Sequence, residues 1–377
     1  MKTRLCEMFG IEFPIFAFSH CRDVVAAVSR AGGFGVLGAL AFSPEELEQE
    51  LAWIDKHVDG KPYGVDIVMP AKTLVSDQKE AVDKGALEKM IPAQHKQFVD
   101  DVLTRFEIPA LPEGAAHAES LLGWTPSAGR GHVEVALAHP IKLLVNALGP
   151  PPADVVALAH QHGVKVAALV GTPAQARKQV AVGVDIIVAQ GSEAGGHTGE
   201  ITTMVLVPDV VDAVAPVPVL AAGGIGSGRQ AAAALALGAD GVWTGSLWLA
   251  VKESDYHPVL IEKILKASSS DTVRAKLWTG KPARLLKTKW TDAWESDASP
   301  GTLPMPLQYM LTAEAQQRIG RAAAAGVPGG RELIGTPIGQ IAGRINKVRS
   351  SQEVVYGIVE EFVDVVERLK GQLEEDE

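Results

Sequence analysis

The chain has 377 residues and a formal net charge of -10, with no block of Lys or Arg, which argues against nucleic acid or an anionic membrane as its main partner. Hydrophobic residues make up 47% of the sequence and aromatic residues only 5%, a balance that favours helices packed closely on a sheet over an all-β sandwich. We find no signal-peptide pattern, no apolar run long enough to span a membrane and no metal-type spacing of the two cysteines. We therefore expect a soluble, cytoplasmic protein.

Eight short apolar runs recur along the chain, and helical patterns follow most of them. The runs are Phe13–Ser19, Phe34–Leu40, Tyr63–Met69, Ile141–Ala147, Lys165–Val170, Asp185–Gly191, Pro218–Gly224 and Gly241–Trp248. Near-continuous apolar strands that alternate with helices predict buried parallel strands joined by right-handed crossovers. Eight is the number that closes a (β/α)8 TIM barrel, an α/β fold. The alternative is a doubly wound open sheet, which places a glycine-rich loop after its first strand, where Phe18–Cys21 has no glycine.

Two regions fall outside this repeat. Residues 70–139 form a long insert after the third run, with a predicted helix over Ala93–Phe106. Because the insert leaves the carboxyl end of a strand, we expect it to form a lid or subdomain over the active-site face. We predict a barrel over residues 1–250 that carries this insert, and a mostly helical C-terminal extension over residues 251–377 that packs near the barrel mouth, with a loop over residues 278–306.

Glycine sites end the seventh and eighth runs. Ala222-Gly223-Gly224 leads into a predicted helix, and Gly245-Ser246 lies at the end of the eighth run. In a barrel, the loops after these two strands commonly bind phosphate through backbone N–H groups and a helix N-terminus. The alternative is that the glycines only serve tight turns. Because both sites fall at the two expected strand ends, the pattern favours a phosphate ligand, with the Ser246 hydroxyl as a further donor.

A glycine-rich loop with one histidine follows the sixth run. Residues 190–200 read Q-G-S-E-A-G-G-H-T-G-E. Gln190 ends the strand at the level of the barrel mouth, and Gly195-Gly196 allows the backbone to lie against a flat ligand. His197 then faces that ligand, and histidine is the most common general base because it titrates nearest neutral pH. The alternative is a histidine that only caps a turn.

This loop, together with Ala221–Ile225 and Gly238–Ala250, resembles the nitronate monooxygenase family, formerly called 2-nitropropane dioxygenase, whose members are FMN-dependent TIM-barrel flavoenzymes. The resemblance implies FMN as cofactor, a small nitronate or nitroalkane as substrate and O₂ as oxidant. It also implies that His197 removes a proton from nitroalkanes or orients an anionic nitronate. The residues that it places at the FMN are Ala17, Phe18, Asp66, Gln190, Gly195, Gly196, Ala222, Gly223, Gly224, Gly245 and Ser246.

Four positions depart from the family pattern, and one of them is Ser246, where threonine is usual. His20 falls where a methionine is usual, so Ser19 and His20 are candidates for contact with the substrate, although His20 is equally suited to cap a helix. Asp66 stands in place of a usual Asn, and a carboxylate there can accept a hydrogen bond from the flavin but cannot donate one. Leu169 stands where some relatives, including an FMN-type NADH:quinone reductase, carry a lysine.

Alternative functions therefore remain open at this stage. One is an NAD(P)H-dependent FMN reductase of quinones or enoyl thioesters; others are a non-redox phosphate-binding barrel and a flavin-binding protein without turnover. Trp278, Trp290 and Trp294 are assigned to packing, with closure over the barrel mouth or a homodimer contact as the alternatives. The remaining histidines follow no ligand spacing, so no metal site is predicted.

Overall fold

The computed structural model describes residues 1–69, 84–115 and 126–374. Within these residues eight parallel strands close a barrel, which confirms the predicted fold class. The first strand pairs with the second, where Phe16 lies beside Phe34, and also with the last, where Ala17 lies beside Thr244, and this second pairing closes the barrel. The barrel strands are β1 (Ile15–Ser19), β2 (Phe34–Gly38), β3 (Tyr63–Ile67), β4 (Leu143–Asn146), β5 (Lys165–Val170), β6 (Ile186–Gln190), β8 (Val219–Ala222) and β9 (Gly241–Thr244), while β7 (Gly196–His197) lies outside the barrel.

A ring of helices surrounds the barrel, with one helix following each barrel strand in the described chain. The ring consists of α2 (Arg22–Arg30), α3 (Pro44–His57), α6 (Pro126–Ala138), α7 (Ala153–Gln161), α8 (Pro173–Ala181), α9 (Thr203–Val214), α10 (Gly228–Ala236) and α15 (Ser351–Glu374). The start of α3 shows how local sequence fixes these ends. Ser43 accepts a hydrogen bond from the Glu46 backbone N–H and donates its own N–H to the Glu46 carboxylate, a capping box. None of the described helices is long and apolar enough to cross a membrane.

Two ring helices differ from the predicted organisation. Helix α6 packs on α3 and β3 as the third helix of the ring, although the sequence interpretation placed it in the insert 70–139. Helix α15 packs against α10 and α2 as the eighth helix of the ring, although it was assigned to the extension that begins at residue 251. A helical pattern in a sequence does not reveal which strand the helix covers. Because a long excursion precedes each of α6 and α15, the sequence did not show that these two helices belong to the ring around the barrel.

The excursions from β3 and β9 pack on each other and form a second core. They contain α4 (Lys84–Lys89), α5 (Ala93–Arg105), α11 (Pro258–Lys266), α12 (Lys289–Trp294), α13 (Leu307–Ala324) and α14 (Pro328–Leu333). Val102 and Leu103 of α5 lie in one buried cluster with Trp290, Trp294 and Ile319 from the C-terminal excursion. The structure thus uses Trp290 and Trp294 for packing within the chain, and the region 278–306, predicted as a loop, contains α12.

A small antiparallel sheet connects the C-terminal excursion to the barrel mouth. Its strands are β10 (Thr272–Ala275), β11 (Ala283–Leu286) and the two-residue β7. In the register, Ala283 pairs with His197 and Arg284 pairs with Gly196. The loop that carries His197 is therefore held by backbone pairing with a segment far away in the sequence.

Apolar side chains fill the barrel interior at the amino-terminal ends of the strands. Helix α1 (Arg4–Phe9) covers the amino-terminal end of the barrel, where the Phe9 ring lies 4.8 Å from the Phe34 ring. Phe16, Phe34 and Val36 belong to this lower cluster, together with inward-facing residues of the other strands. Apolar packing therefore occupies the lower barrel, and a cavity can form only at the carboxyl ends of the strands.

The contact between α10 and α15 provides a test of the ring. A Cβ atom at Gly228 would collide with the Ile358 carbonyl oxygen and the Phe362 nitrogen of α15. We expect Gly228→Ala to lower the free energy of unfolding by about 1–3 kcal/mol, because α15 would have to move outward. Urea denaturation measures this change.

Gly320→Ala in α13 is the matched control. A Cβ atom there meets nothing within 4 Å. Since alanine favours helix over glycine, this control should be neutral or stabilising by up to about 1 kcal/mol. Equal effects of the two substitutions would contradict the tight contact between α10 and α15.

Candidate active site

A cavity of about 450 Å³ lies at the carboxyl ends of the barrel strands, a size within the range of cofactor and substrate sites. Segments from the barrel loops and from the C-terminal excursion line it together. The structure brings thirteen of the sequence-predicted site residues to its wall: Phe18, Ser19, His20, Asp66, Gln190, Gly195, Gly196, His197, Ala222, Gly223, Gly224, Gly245 and Ser246.

Ala17 is the predicted contact that does not line the cavity. Side chains alternate along a strand, so the inward positions of β1 belong to Phe16 and Phe18. The Ala17 side chain is fully buried in the core between the barrel and its helices. The prediction that Ala17 contacts the cofactor is therefore corrected, because the period of the strand turns its side chain away.

One end of the cavity is built from glycine backbone. Gly223 and Gly224 adopt left-handed conformations with φ of 96° and 68°, which side-chain-bearing residues rarely adopt. A Cβ atom at Gly223 would lie 2.9 Å from the Gly191 carbonyl oxygen, whereas the Cβ position of Gly245 meets nothing within 4 Å. This geometry brings bare backbone to the cavity wall, which is the arrangement that anion sites use.

The Ser246 hydroxyl is oriented at the same end. Its oxygen accepts a hydrogen bond from the Gly339 N–H at 2.8 Å, so the hydroxyl proton remains available to a ligand. The neighbouring N-terminus of α9 is already occupied, because the Glu193 carboxylate accepts from the Thr203 N–H at 2.9 Å and from its hydroxyl at 3.0 Å. An anion is thus directed to the loops after β8 and β9, and away from α9.

The His197 loop rests on the C-terminal excursion through two glycines. A Cβ atom at Gly195 would lie 2.7 Å from the Ile338 carbonyl carbon, and one at Gly339 would lie 2.7 Å from the Glu193 oxygen. Gly196, by contrast, has a φ of 75° and open space at its Cβ position. Gly195 is therefore needed because the His197 loop crosses the backbone at Ile338 and Gly339 there, a role that the sequence did not reveal. Gly196 provides the left-handed turn before His197.

His197 is held at the cavity wall as a neutral imidazole. Its Nε2 atom lies 2.6 Å from the hydroxyl oxygen of the fully buried Thr279, which fixes the orientation of the ring. Burial, and secondly the positive charge of Lys281, lower the pKa of His197 to about 4. At neutral pH the ring is uncharged, so it is suited to accept a proton or to share a hydrogen bond with a ligand.

A second histidine lines the cavity near β1. The His20 Nδ1 atom lies 2.9 Å from the Gly38 carbonyl oxygen, which accepts a hydrogen bond only if Nδ1 carries the proton. Burial lowers the pKa of His20, so this ring also favours the neutral form. The absence of a side chain at Gly38 is required here, because a Cβ atom would lie 2.7 Å from the His20 ring.

Asp66 is the acidic group of the cavity wall. It is only 5% exposed, and its Oδ1 atom has no hydrogen-bond partner. Burial raises the pKa of Asp66 well above its ordinary value, and no positive charge among the described residues compensates it. Burial therefore favours the protonated form of the Asp66 side chain over its carboxylate.

Several residues of the wall were not identified from the sequence. Tyr256, Tyr309, Thr336 and Pro337 line the cavity from the C-terminal excursion, and Thr279 supports His197 from the same region. Trp278 also lines the cavity, which agrees with the alternative that it closes over the barrel mouth. Tyr309 lies on α13, whereas Tyr256, Thr336 and Pro337 lie in connections between elements, where no period marks them. The likeness to the family also covers Gly280–Arg284 and Gly339-Gln340, which marks this region but assigns no role to these residues.

The protonated state of Asp66 predicts a pH-dependent effect on stability. Between the unfolded-state pKa of about 3.9 and the raised folded-state pKa, the native protein binds one proton more than the unfolded chain, so this group destabilises the fold increasingly as pH rises. We expect Asp66→Asn to gain stability relative to the natural chain by about 1.4 kcal/mol per pH unit in this window. Urea denaturation of the cofactor-free protein at about pH 5, 6 and 7 measures the difference.

Asp23→Asn is the control, because Asp23 is an exposed carboxylate of α2 with half of its side chain accessible. The pH dependence found for Asp66→Asn is compared with that of this exposed substitution, measured under the same conditions. A difference for Asp66→Asn that is constant with pH would contradict the neutral state of Asp66.

Comparison with known proteins agrees with this architecture. A family model described as nitronate monooxygenase matches residues 2–361. The chain is 55% identical to the putative monooxygenase Rv1533 of Mycobacterium tuberculosis, over 98% of this chain and 99% of that protein. It is 28% identical to a probable nitronate monooxygenase of Staphylococcus aureus, over 97% of this chain and 99% of that one.

Solved structures show the same relationship. The nitroalkane oxidase from Streptomyces ansochromogenes superposes with a TM-score of 0.78 at 26% identity, covering 97% of this chain and 99% of that chain. FabK from Thermotoga maritima superposes with a TM-score of 0.72 at 30% identity, covering 99% of each chain. The extent of these matches confirms the resemblance seen in the sequence. The chain belongs to the nitronate monooxygenase family and is an FMN-dependent oxidoreductase.

Proposed function

We propose that this protein oxidises nitronates, and nitroalkanes by way of their nitronates, with FMN as the redox group and O₂ as the final oxidant. The observation that carries the proposal is His197, an uncharged imidazole fixed by Thr279 at the wall of a cavity that suits FMN. The name of the Mycobacterium tuberculosis relative, a putative monooxygenase, supports the same class of reaction.

The residues present fit FMN. Gly223, Gly224, Gly245 and Ser246 would hold its phosphate, because they combine bare backbone, an open Cβ position and an oriented hydroxyl. Phe18, Asp66, Gln190, Gly195, Gly196 and Ala222 line the rest of the wall and would surround the flavin ring. When bound, FMN supplies the acceptor for the substrate's electrons and the donor for O₂.

The environment of His197 fits proton removal from a neutral nitroalkane. A neutral imidazole accepts the proton from the carbon next to the nitro group, and the product is an imidazolium beside an anionic nitronate. That anion stabilises the imidazolium and so offsets the opposing effects of burial and Lys281. A nitronate that arrives already ionised needs no base, and His197 then only hydrogen-bonds and orients it.

A comparison of a nitroalkane with its preformed nitronate distinguishes the role of His197 as a base from its role in orienting the anion. We expect His197→Asn to lower kcat/KM for a nitroalkane by about 10²–10⁴-fold, since the variant lacks a base. The loss for the corresponding preformed nitronate should be much smaller. Steady-state oxygen consumption with each form measures both values, with FMN content confirmed by absorbance.

His162→Asn is the matched control, because His162 is exposed at the end of α7. It should leave both rates unchanged. An unchanged nitroalkane rate in His197→Asn would exclude His197 as the base, and equal losses for both substrate forms would favour an orienting role alone.

A second candidate function is an NAD(P)H-dependent reductase of quinones or enoyl thioesters. It is favoured by an apolar patch on the cavity wall, formed by Leu40, Val68 and Leu148, which has the character required for an extended hydrocarbon chain. Such a patch also accommodates the alkyl group of a nitronate. The choice between the two therefore depends on the electron donor.

Anaerobic reduction of bound FMN tests the electron donor. We expect a nitronate to bleach the flavin absorbance rapidly in a stopped-flow instrument, and NADH or NADPH to bleach it at least about 10²-fold more slowly, because Leu169 stands on the cavity wall where an FMN-type NADH:quinone reductase carries a lysine. Rapid bleaching by NADH or NADPH, with slow bleaching by nitronates, would replace the first proposal by the second.

A further inference from the structure

The position of Asp66 places its carboxyl group inside the barrel mouth. Asp66 lies at the carboxyl end of β3, and in the sheet register it stands beside Gly38 of β2 and Val145 of β4. Its neighbours in the chain, Val65 and Ile67, are buried in the layer between the barrel and the helices. By strand alternation the Asp66 side chain faces the interior, and it forms part of the cavity wall.

The carboxyl group is buried, and its Oδ1 atom has no polar partner in the part of the chain that the structure describes. The residue is 5% exposed, and no group in the described residues forms a hydrogen bond with its Oδ1 atom. The side-chain amide of Asn146, on the neighbouring strand β4, is already engaged: it accepts from the Met69 N–H at 2.9 Å and donates to the Gly149 oxygen at 2.8 Å. A buried polar atom without a partner is costly, so this arrangement points to a ligand that completes it.

Within residues 1–69, 84–115 and 126–374, no cation compensates a charge at this position. The titratable side chains that share the cavity wall are His20, His197, Tyr256 and Tyr309. Burial lowers the pKa of both histidines, and burial raises that of Tyr256, so none of these three favours a charged form. No salt bridge to Asp66 occurs among the described residues, and an isolated buried carboxylate is strongly disfavoured.

We propose that Asp66 acts as a carboxylic acid that donates a hydrogen bond to the bound flavin and so favours its reduced form. The family pattern places an Asn side chain at this position, and a protonated carboxyl group offers the same pair of functions, one donor and one acceptor, in nearly the same shape. The substitution then preserves the donor that a carboxylate would lose. Asp66 is a positioning and tuning group for the cofactor, and it takes no part in proton removal from the substrate.

A hydrogen-bond donor and a negative charge at position 66 would change the reduction potential of bound FMN in opposite directions. Reduction adds electron density to the flavin ring system, and a hydrogen-bond donor aimed at the ring stabilises that added charge. A carboxylate at the same place would repel it. Removing a donor must therefore lower the reduction potential of bound FMN, whereas removing a negative charge must raise it.

The test compares the FMN-loaded natural protein with Asp66→Asn and Asp66→Leu, and uses Asp23→Asn as control. The midpoint potential is measured by stepwise reduction against an indicator dye. We expect a potential close to the natural one for Asp66→Asn, which retains a donor, and a lower potential for Asp66→Leu. FMN binding by Asp66→Leu should weaken about tenfold, the equivalent of one hydrogen bond. A potential that rises in both variants would overturn the proposal.

Infrared spectroscopy provides an independent readout that does not require Asp66→Leu to fold or to retain FMN. The reduced-minus-oxidised difference spectrum of the natural protein should contain the C=O stretching band of a protonated carboxyl group. This band should shift in D₂O and be absent in Asp66→Asn. Absence of such a band in the natural protein, with a carboxylate band in its place, would also overturn the proposal. These measurements depend on bound FMN but on no substrate, so they are independent of nitronate oxidation.

Discussion

The site depends on one close crossing of two backbones. Gly195 of the β6 loop and Gly339 of the C-terminal excursion approach so closely that neither can carry a Cβ atom. Three hydrogen bonds surround this crossing: Gln340 N–H to the Glu193 oxygen at 2.9 Å, Gly339 N–H to the Ser246 hydroxyl at 2.8 Å, and Arg284 Nε to the Ser192 oxygen at 2.9 Å. The crossing therefore joins the His197 loop, the end of β9 and the excursion into one wall, and it sets the distance between the histidine and the glycine end of the cavity.

A second property of the wall is that burial keeps its titratable groups uncharged. His197 and His20 lose their positive charge and Asp66 loses its negative charge for the same reason, namely that a low-dielectric cavity penalises any unpaired charge. At the glycine end, backbone N–H groups and a hydroxyl provide partial positive charge without a titratable side chain. The cavity therefore presents oriented backbone and hydroxyl dipoles to a ligand, although burial favours the uncharged forms of its ionisable side chains. Such a site can receive an anionic phosphate at one end and stabilise charge that develops elsewhere during reaction.

Much of the barrel could be predicted from the sequence because its signals are local. Each buried parallel strand is an apolar run, and features such as the Ser43 cap of α3 mark helix ends within a few residues. The glycine sites after β8 and β9 were recognised because the fold assigns phosphate to those loops. Ala17 was predicted to contact the cofactor, but it lies one residue away from Phe16 and Phe18, the inward-facing positions of β1.

The rest of the site depends on contacts that no local pattern encodes. The pairing of Ala283 with His197 involves strands of two and four residues, too short to show a period. Thr279 supports His197 from a segment that was predicted only as a loop. The sequence also places α6 in the insert, because it cannot indicate that a long excursion returns to supply the third helix of the ring. These are tertiary relationships, and they required the structure.

The crossing of Gly195 and Gly339 also has a consequence for biosynthesis. All barrel strands precede residue 245, whereas the partner of the His197 loop and the eighth ring helix come from the last third of the chain. During translation the amino-terminal part emerges first. A nascent chain can therefore pair its strands well before it can finish the cofactor pocket. FMN capture is for this reason expected as a late, post-translational event in the maturation of the molecule.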